Sequence, residues 1–182
     1  MAKRIGTIYG DALFSLALEE ERVDRFAEEI TLAAQVFRDN EELMKLLNHP
    51  EIVKEEKTAL VENAFRGRVS DEVLGFFHVV ITKDRHNDLP EIFVHFLDRV
   101  RKYKKIGRAS VTSAVELTKE QKAAVESRLL EVTDYRSFET DYVVKPEIIG
   151  GLIIRLDDRV VDSSLKTQID TLSRQLSRIQ LS

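Results

Sequence analysis

Four histidines, several runs of carboxylates, a lysine cluster and a pair of adjacent glycines are the groups whose type or spacing could do chemistry in this chain. His49, His78, His86 and His95 show neither H-E-x-x-H nor another paired metal spacing. Two read as helical and two as loop residues, exposed or satisfied within a core. Asp157 and Asp158 are adjacent carboxylates. Acid–base catalysis by a carboxylate pair needs one site with two different environments, so their expected role is to turn the chain. Glu19, Glu20, Glu21, Glu28 and Glu29 read as a solvated acidic face. Lys102, Lys104 and Lys105 suit a helix C-terminus, where cations meet the dipole. The Gly-Lys-Ser/Thr ending of a phosphate loop is missing. There is no cysteine, which removes disulfides, thiolate chemistry and cysteine–metal sites. The expectation is a protein without catalytic residues, metal or cofactor.

The adjacent glycines belong to the tail from Lys145 to Leu176. Gly150 and Gly151 interrupt an apolar, β-branched run, and glycine weakens a strand unless geometry demands it. They predict a bulge or a close backbone approach. Leu152, Ile153, Ile154 and Leu156 resume the strand, Asp157 and Asp158 turn it, and Val160 and Val161 re-enter apolar surroundings. Asp162, Ser163 or Ser164 can cap a closing helix, with Leu165, Ile169, Leu172, Leu176 and Ile179 on one face.

The elements that must position these groups fall into two textures. Eight of the nine phenylalanines precede residue 105, where helical periodicity runs almost throughout. Six helices are expected there. The first covers residues 3–20. The second places Val23, Phe26, Ala27, Ile30, Ala33, Ala34 and Phe37 on one face. The third carries Leu43, Leu46 and Leu47 and stops before Pro50. The fourth runs from Ile52 to Phe65 and ends at Gly67. The fifth starts behind Ser70, with Asp71 and Glu72 in its first turn. The sixth starts behind Asn87 or Asp88, with Pro90 near its first turn. Its face is Ile92, Phe93, Phe96, Val100 and Tyr103, and Gly107 suits the residue just beyond its end. Short connections predict a compact antiparallel bundle.

The second half mixes strands and helices. Residues 108–116 alternate through Val111, Ser113 and Val115. Thr118 and Gln121 form a capping box for the next helix. Phe138, Thr140, Tyr142 and Val144 alternate again, and the tail closes the unit. The expected class is α+β: a six-helix bundle over residues 1–105, then a small βαββα domain over 106–182.

Two helices carry more apolar side chains than one buried face requires. On the first, Ile5, Ile8, Tyr9, Ala12, Leu13 and Leu16 form a core-facing stripe, while Phe14 and Leu18 point well away from its centre. Gly6 and Gly10 lie between these sectors, where they could let another helix come close. On the fifth, Val73, Leu74, Phe77, Val80 and Ile81 make one face, widened on one side by Phe76 and Val79. A helix apolar on several sides is either deeply buried or offers a face to a partner. Periodicity leaves both open. A shared groove could receive an amphipathic helix of another protein.

The tail, with Pro146, Ile148, Gly150, Gly151, Val160, Asp162 and Ser164, resembles the C-terminal signature of the delta subunits of F-type ATP synthases. That family includes the mitochondrial oligomycin-sensitivity-conferring protein. The opening Tyr9-Gly10-Asp11-Ala12-Leu13-Phe14 with Ala17 is similar to the family's start. Leu47 and Pro50 with Ile52 and Lys57 agree too. So does the stretch Gly107, Ala109, Val111, Ser113, Ala114, Leu117, Thr118 and Gln121. The matches cover nearly the whole chain in order.

The resemblance implies a non-catalytic stator subunit. It would link the catalytic head of the synthase to its peripheral stalk and resist rotor torque. Its first and fifth helices would receive the N-terminal helix of an alpha subunit. Its second domain would bind the C-terminal ends of b-type stalk subunits. Partner contacts are then expected at Tyr9, Leu13, Phe14 and Leu18, at Phe76, Val79 and Val80, and at Gly150 and Gly151. The chain has no signal-peptide pattern and no apolar run long enough to span a bilayer. Its expected place is the cytoplasmic face of a bacterial plasma membrane, as a peripheral subunit.

The rival reading is RNA binding, because Ile148-Ile149-Gly150-Gly151 superficially resembles the glycine loop of KH domains. That loop spaces its glycines as G-x-x-G. Here they are adjacent, the following turn is acidic, and the net charge is −4, from 28 basic and 32 acidic residues. A nucleic-acid binder usually shows a basic surplus.

Overall fold

The structure, a computed structural model, describes residues 2–179, with side chains described from residue 5 to residue 175. The described residues form eight α-helices, four strands and two short 3-10 turns. The chain divides into two units, one up to Arg101 and one from Lys102 onward.

The first unit is helical: α1 (Ala2–Glu19), α2 (Val23–Asp39), α3 (Glu41–Leu47), α4 (Lys54–Phe65) and α5 (Asp71–Thr82), then a 3-10 turn over His86–Asp88 and α6 (Leu89–Lys104). Their apolar faces share one core. Phe26, Phe65, Phe77, Phe93 and Phe96 are fully enclosed. Phe37 meets Phe65, Phe77 and Phe93 with ring centroids 5.5, 6.4 and 5.8 Å apart. Each enclosed phenylalanine contributes roughly 1.5–3 kcal/mol of burial free energy. Tyr103, expected on the buried face of α6, is exposed.

α1 does not face inward as its apolar count suggests. Gly6, Gly10, Leu13, Phe14 and Ala17 are its buried residues, whereas Ile8 and Ala12 are exposed. The buried face is turned roughly a third of a circumference from the expected stripe. The reason lies in the glycines. A Cβ on Gly10 would come within 2.7 Å of the His95 ring and 3.2 Å of the Ile92 carbonyl, and one on Gly6 would press on Glu91. α6 therefore approaches α1 along its glycine row, and that row becomes the centre of the inward face. The approach is fastened by Asp11, whose Oδ1 accepts from Arg99 Nε and lies 3.0 Å from His95 Nε2. The Arg99 guanidinium also sits over the Phe14 ring.

A second departure concerns Glu29. Expected on an acidic surface, it is only 6% exposed. Its carboxylate accepts from the Ser70 hydroxyl at 2.6 Å and from Arg25 Nε at 2.9 Å. Ser70 is the N-cap of α5, but its hydroxyl serves Glu29 and makes no side-chain cap bond. Burial pushes the Glu29 carboxyl up, but the Ser70 and Arg25 hydrogen bonds outweigh it and hold it below the ordinary glutamate range. A carboxyl depressed in the folded state stabilises the fold above the ordinary glutamate value. That stabilisation fades as pH falls through the window beneath it. Glu29→Gln should cost about 1–3 kcal/mol at pH 7. It should also flatten the acid limb of stability between about pH 5 and pH 3, read by urea unfolding across pH. An acid limb identical to wild type would remove Glu29 from that role.

The second unit runs β1 (Ile106–Ser113), α7 (Lys119–Glu131), β2 (Ser137–Val144), a 3-10 turn over Pro146–Ile148, β3 (Leu152–Leu156), β4 (Arg159–Asp162) and α8 (Leu165–Ile179). It has one strand more than the expected βαββα outline, because the residues after the Asp157–Asp158 turn pair with β3 as a strand of their own. The sheet order is β2-β1-β3-β4. β1 pairs in parallel with β2, while β3 pairs antiparallel with β1 and β4. A parallel neighbour needs a crossover, and α7 supplies it, started by the expected Thr118–Gln121 capping box.

The end of α6 also differs from expectation. The residue with left-handed backbone is Lys105, at φ 56°, and Gly107 lies inside β1 opposite Phe138. A side chain at Gly107 would strike the rings of Phe138 and Tyr135.

Candidate functional site

The expected partner residues on α1 and α5 separate by burial. Leu13, Phe14 and Val80 are core residues, at 1%, 5% and 0% exposure. Leu18 is exposed, but helical geometry puts it on the side of α1 opposite Tyr9. Tyr9 and Phe76 do come together. Their rings meet edge-on with centroids 6.4 Å apart, joining α1 to α5 at the surface. Beside them Ile8 is 58% exposed on α1 and Val79 is 49% exposed on α5. Ala12 extends the same α1 face. At one end Arg22 donates to Glu72 at 3.0 Å.

Tyr9, Phe76, Ile8, Ala12 and Val79 thus form a candidate apolar strip on α1 and α5. Ile8 and Ala12 were missed as surface residues because periodicity placed them in the core stripe. Their signal was the glycine row, which claims the inward direction for itself.

In the second unit the double glycine has an intrachain task. The Gly150 carbonyl accepts from the Leu165 amide at 3.0 Å, and the Leu152 carbonyl accepts from Ser163 at 2.9 Å. Gly151 has φ 75°, and a Cβ there would collide with the Ser163 carbonyl. The start of α8 is thus laid on the glycines, as the close-approach reading expected. Two side chains complete the anchorage. Asp162 Oδ1 accepts from the Ser164 amide, and Ser164 Oγ accepts from the Thr167 amide as N-cap. The Ser164 amide bond holds the Asp162 carboxyl below its ordinary range.

Beyond its first turn α8 has little cover. Leu165, Ile169 and Leu172 are 45%, 54% and 58% exposed. They follow one another at intervals of four and three residues, the spacing of a coiled-coil seam. Leu176 and Ile179, expected to continue the stripe, have side chains outside the described residues.

Asp157, one of the two adjacent carboxylates, has a structural partner. Asp157 takes the turn position with φ 50° and accepts from the Tyr135 hydroxyl at 2.6 Å. That hydrogen bond raises the Tyr135 phenol above its ordinary value. Among the described residues no group of three or more histidine, aspartate or glutamate side chains is placed to hold a metal. No described helix is long and apolar enough to cross a membrane. Gly151 lies under the Ser163–Ser164 backbone and Gly150 against the Leu165 side chain.

Among the described residues each unit exposes apolar helix side chains, Ile8 and Val79 in the helical unit and Leu165, Ile169 and Leu172 in the mixed-sheet unit. Comparison with known proteins supplies the family. The sequence pattern of the ATP synthase delta (OSCP) subunit matches residues 5–176, and the chain belongs to that family. The family consists of structural stator subunits that do no catalysis.

The chain is 52% identical over 181 residues to ATP synthase subunit delta of Lachnoclostridium phytofermentans, covering 100% of both chains. It is 33% identical to the delta subunit of Halalkalibacterium halodurans, covering 92% of both. Among solved structures, a chain of the Toxoplasma gondii mitochondrial ATP synthase hexamer has the same fold. Its TM-score is 0.61 at 15% identity, over 94% of this chain and 96% of that one. The RNA-binding reading finds no support in these likenesses.

Proposed function

We propose that the chain couples the head of an F-type ATP synthase to its peripheral stalk through two separate helix-binding faces. Residues 1–105 act as a six-helix bundle. Its strip between α1 and α5 receives the N-terminal helix of the alpha subunit, with Tyr9 and Phe76 beneath it and Ile8, Ala12 and Val79 at its sides. Residues 106–182 hold the C-terminal ends of b-type stalk subunits. The seam of α8 takes a helix there, and Gly150 and Gly151 fix the base of α8.

The observation that carries this reading is that each unit leaves one apolar helix face uncovered. Apolar side chains at such positions add binding energy only when another helix covers them. The work done is passive: the head is kept from turning with the rotor while protons drive synthesis. The protein sits peripherally, on the cytoplasmic face of a bacterial plasma membrane, held there by the complex.

Membranes stripped of this subunit provide the test. ATP hydrolysis by the head should persist while proton pumping is lost, and adding back the full chain should restore pumping. A synthase that assembles and pumps fully without the chain would overturn the proposal.

A further inference from the structure

We propose that His86 is an acid-sensitive latch: while neutral it ties the corner between α5 and α6 to the end of α3, and protonation releases that corner. The ring is 5% exposed, within the 3-10 turn that joins the two helices. Its Nε2 lies 3.1 Å from the side-chain oxygen of Asn48, the residue that caps the end of α3. The Asn48 amide nitrogen is committed to the Met44 carbonyl, so its oxygen faces the ring. Nε2 therefore carries the proton and donates, which leaves Nδ1 as the bare nitrogen. Nδ1 is buried without any hydrogen-bond partner.

A second proton can enter only at Nδ1, where it would be a buried donor with no acceptor. Leaving such a group unmatched opposes the protonated form. The surrounding charges do not rescue it. Burial acts first against the charged ring, and Lys57 on α4 adds to it, while Asp84 and Asp88 favour the charge. Asp84 is already held by Lys54 Nζ at 2.6 Å, and Asp88 has Arg85 at 4.0 Å. α1 also packs against this turn, but the charges acting on His86 are those of Lys57, Asp84 and Asp88. Their net effect holds the imidazole below its ordinary value.

The sign follows. The neutral ring belongs to the closed corner. As pH falls below the ordinary histidine value of about 6.5, the open corner takes up the proton first. Opening then becomes easier by up to about tenfold per pH unit for one linked proton.

The test uses the full chain at pH 5–8, with histidine NMR titration and amide hydrogen exchange corrected for intrinsic rates. His86 should charge only below the ordinary histidine value of about 6.5. Amides over 47–49 and 85–89 should lose protection progressively below about pH 6.5, and this pH trend should vanish in His86→Gln. If that variant fails to fold, Lys57→Met supplies the reading. Removing the opposing cation should move the His86 titration upward. A His86 titrating at or above the ordinary histidine value, the same exchange trend in His86→Gln, or an unmoved titration in Lys57→Met would each overturn the latch.

Discussion

Ile8→Asp and Val79→Asp should each weaken binding of the alpha-subunit N-terminal helix by about 30- to 200-fold while leaving the fold of the chain intact. The size follows from the side chains. An aliphatic anchor covered by a partner contributes roughly 1.5–3 kcal/mol, and a carboxylate in its place adds the cost of drying a charge. A total of about 2–3 kcal/mol corresponds to that range of affinity.

The fold should be spared because Ile8 and Val79 are 58% and 49% exposed. Phe14→Asp is the contrast. Phe14 is 5% exposed and packs on Phe96 with centroids 6.5 Å apart. Arg99, the nearest cation, is already engaged with Asp11. Losing the buried ring alone costs about 3–5 kcal/mol, and the stranded carboxylate should remove most of what stability remains. Calorimetric titration of full-length variants with a peptide of the alpha-subunit N-terminus, beside circular dichroism and urea unfolding, separates the two effects. Surface variants that bind like wild type would show that the helix does not lie between α1 and α5. A folded Phe14→Asp that fails to bind would return Phe14 to the partner face.

The second large effect is expected at Gly151. Gly151→Ala should destabilise the second unit by roughly 2–4 kcal/mol, combining the cost of left-handed backbone for a residue with a Cβ and the collision with Ser163. At Gly150 an added Cβ meets only the flexible end of Leu165, at 2.8 Å. A rotamer change can relieve that, so Gly150→Ala should cost about 1 kcal/mol.

Because the Ser163 carbonyl and the Ser164 backbone lie directly above Gly151, the larger variant must lift the beginning of α8. Hydrogen exchange should show α8 and β4 losing protection first, and affinity for the stalk subunits should fall with them. Gly151→Ala with wild-type stability but lost stalk binding would mean that the glycine touches the partner directly. Wild-type stability together with wild-type binding would remove both roles.

Local chemistry made much of the fold legible in the amino-acid order. Helical periodicity, the Thr118–Gln121 capping box and the Asp157 turn depend on neighbours a few residues away. Such neighbours can be read along the chain. β4 was not expected, but the strand resumed after Gly151 and the apolar helix face could be read for the same reason. So could the broad apolar surface of α5, where Phe76 and Val79 lie at the margin as their spacing implies.

The inward side of α1 was decided elsewhere. Both of its sides are apolar, so counting hydrophobic residues could not choose between them. The choice fell to α6, which lies more than eighty residues away along the chain and can come close only over Gly6 and Gly10. Glu29 became a buried acceptor because Ser70, 41 residues on, was brought against it. Periodicity therefore established that α1 has apolar surface to spare, and long-range packing determined that Ile8 and Ala12 remain outside while Phe14 is enclosed. The physical reason is that a side chain's burial belongs to the pair of surfaces that meet, and one helix carries only half of that information.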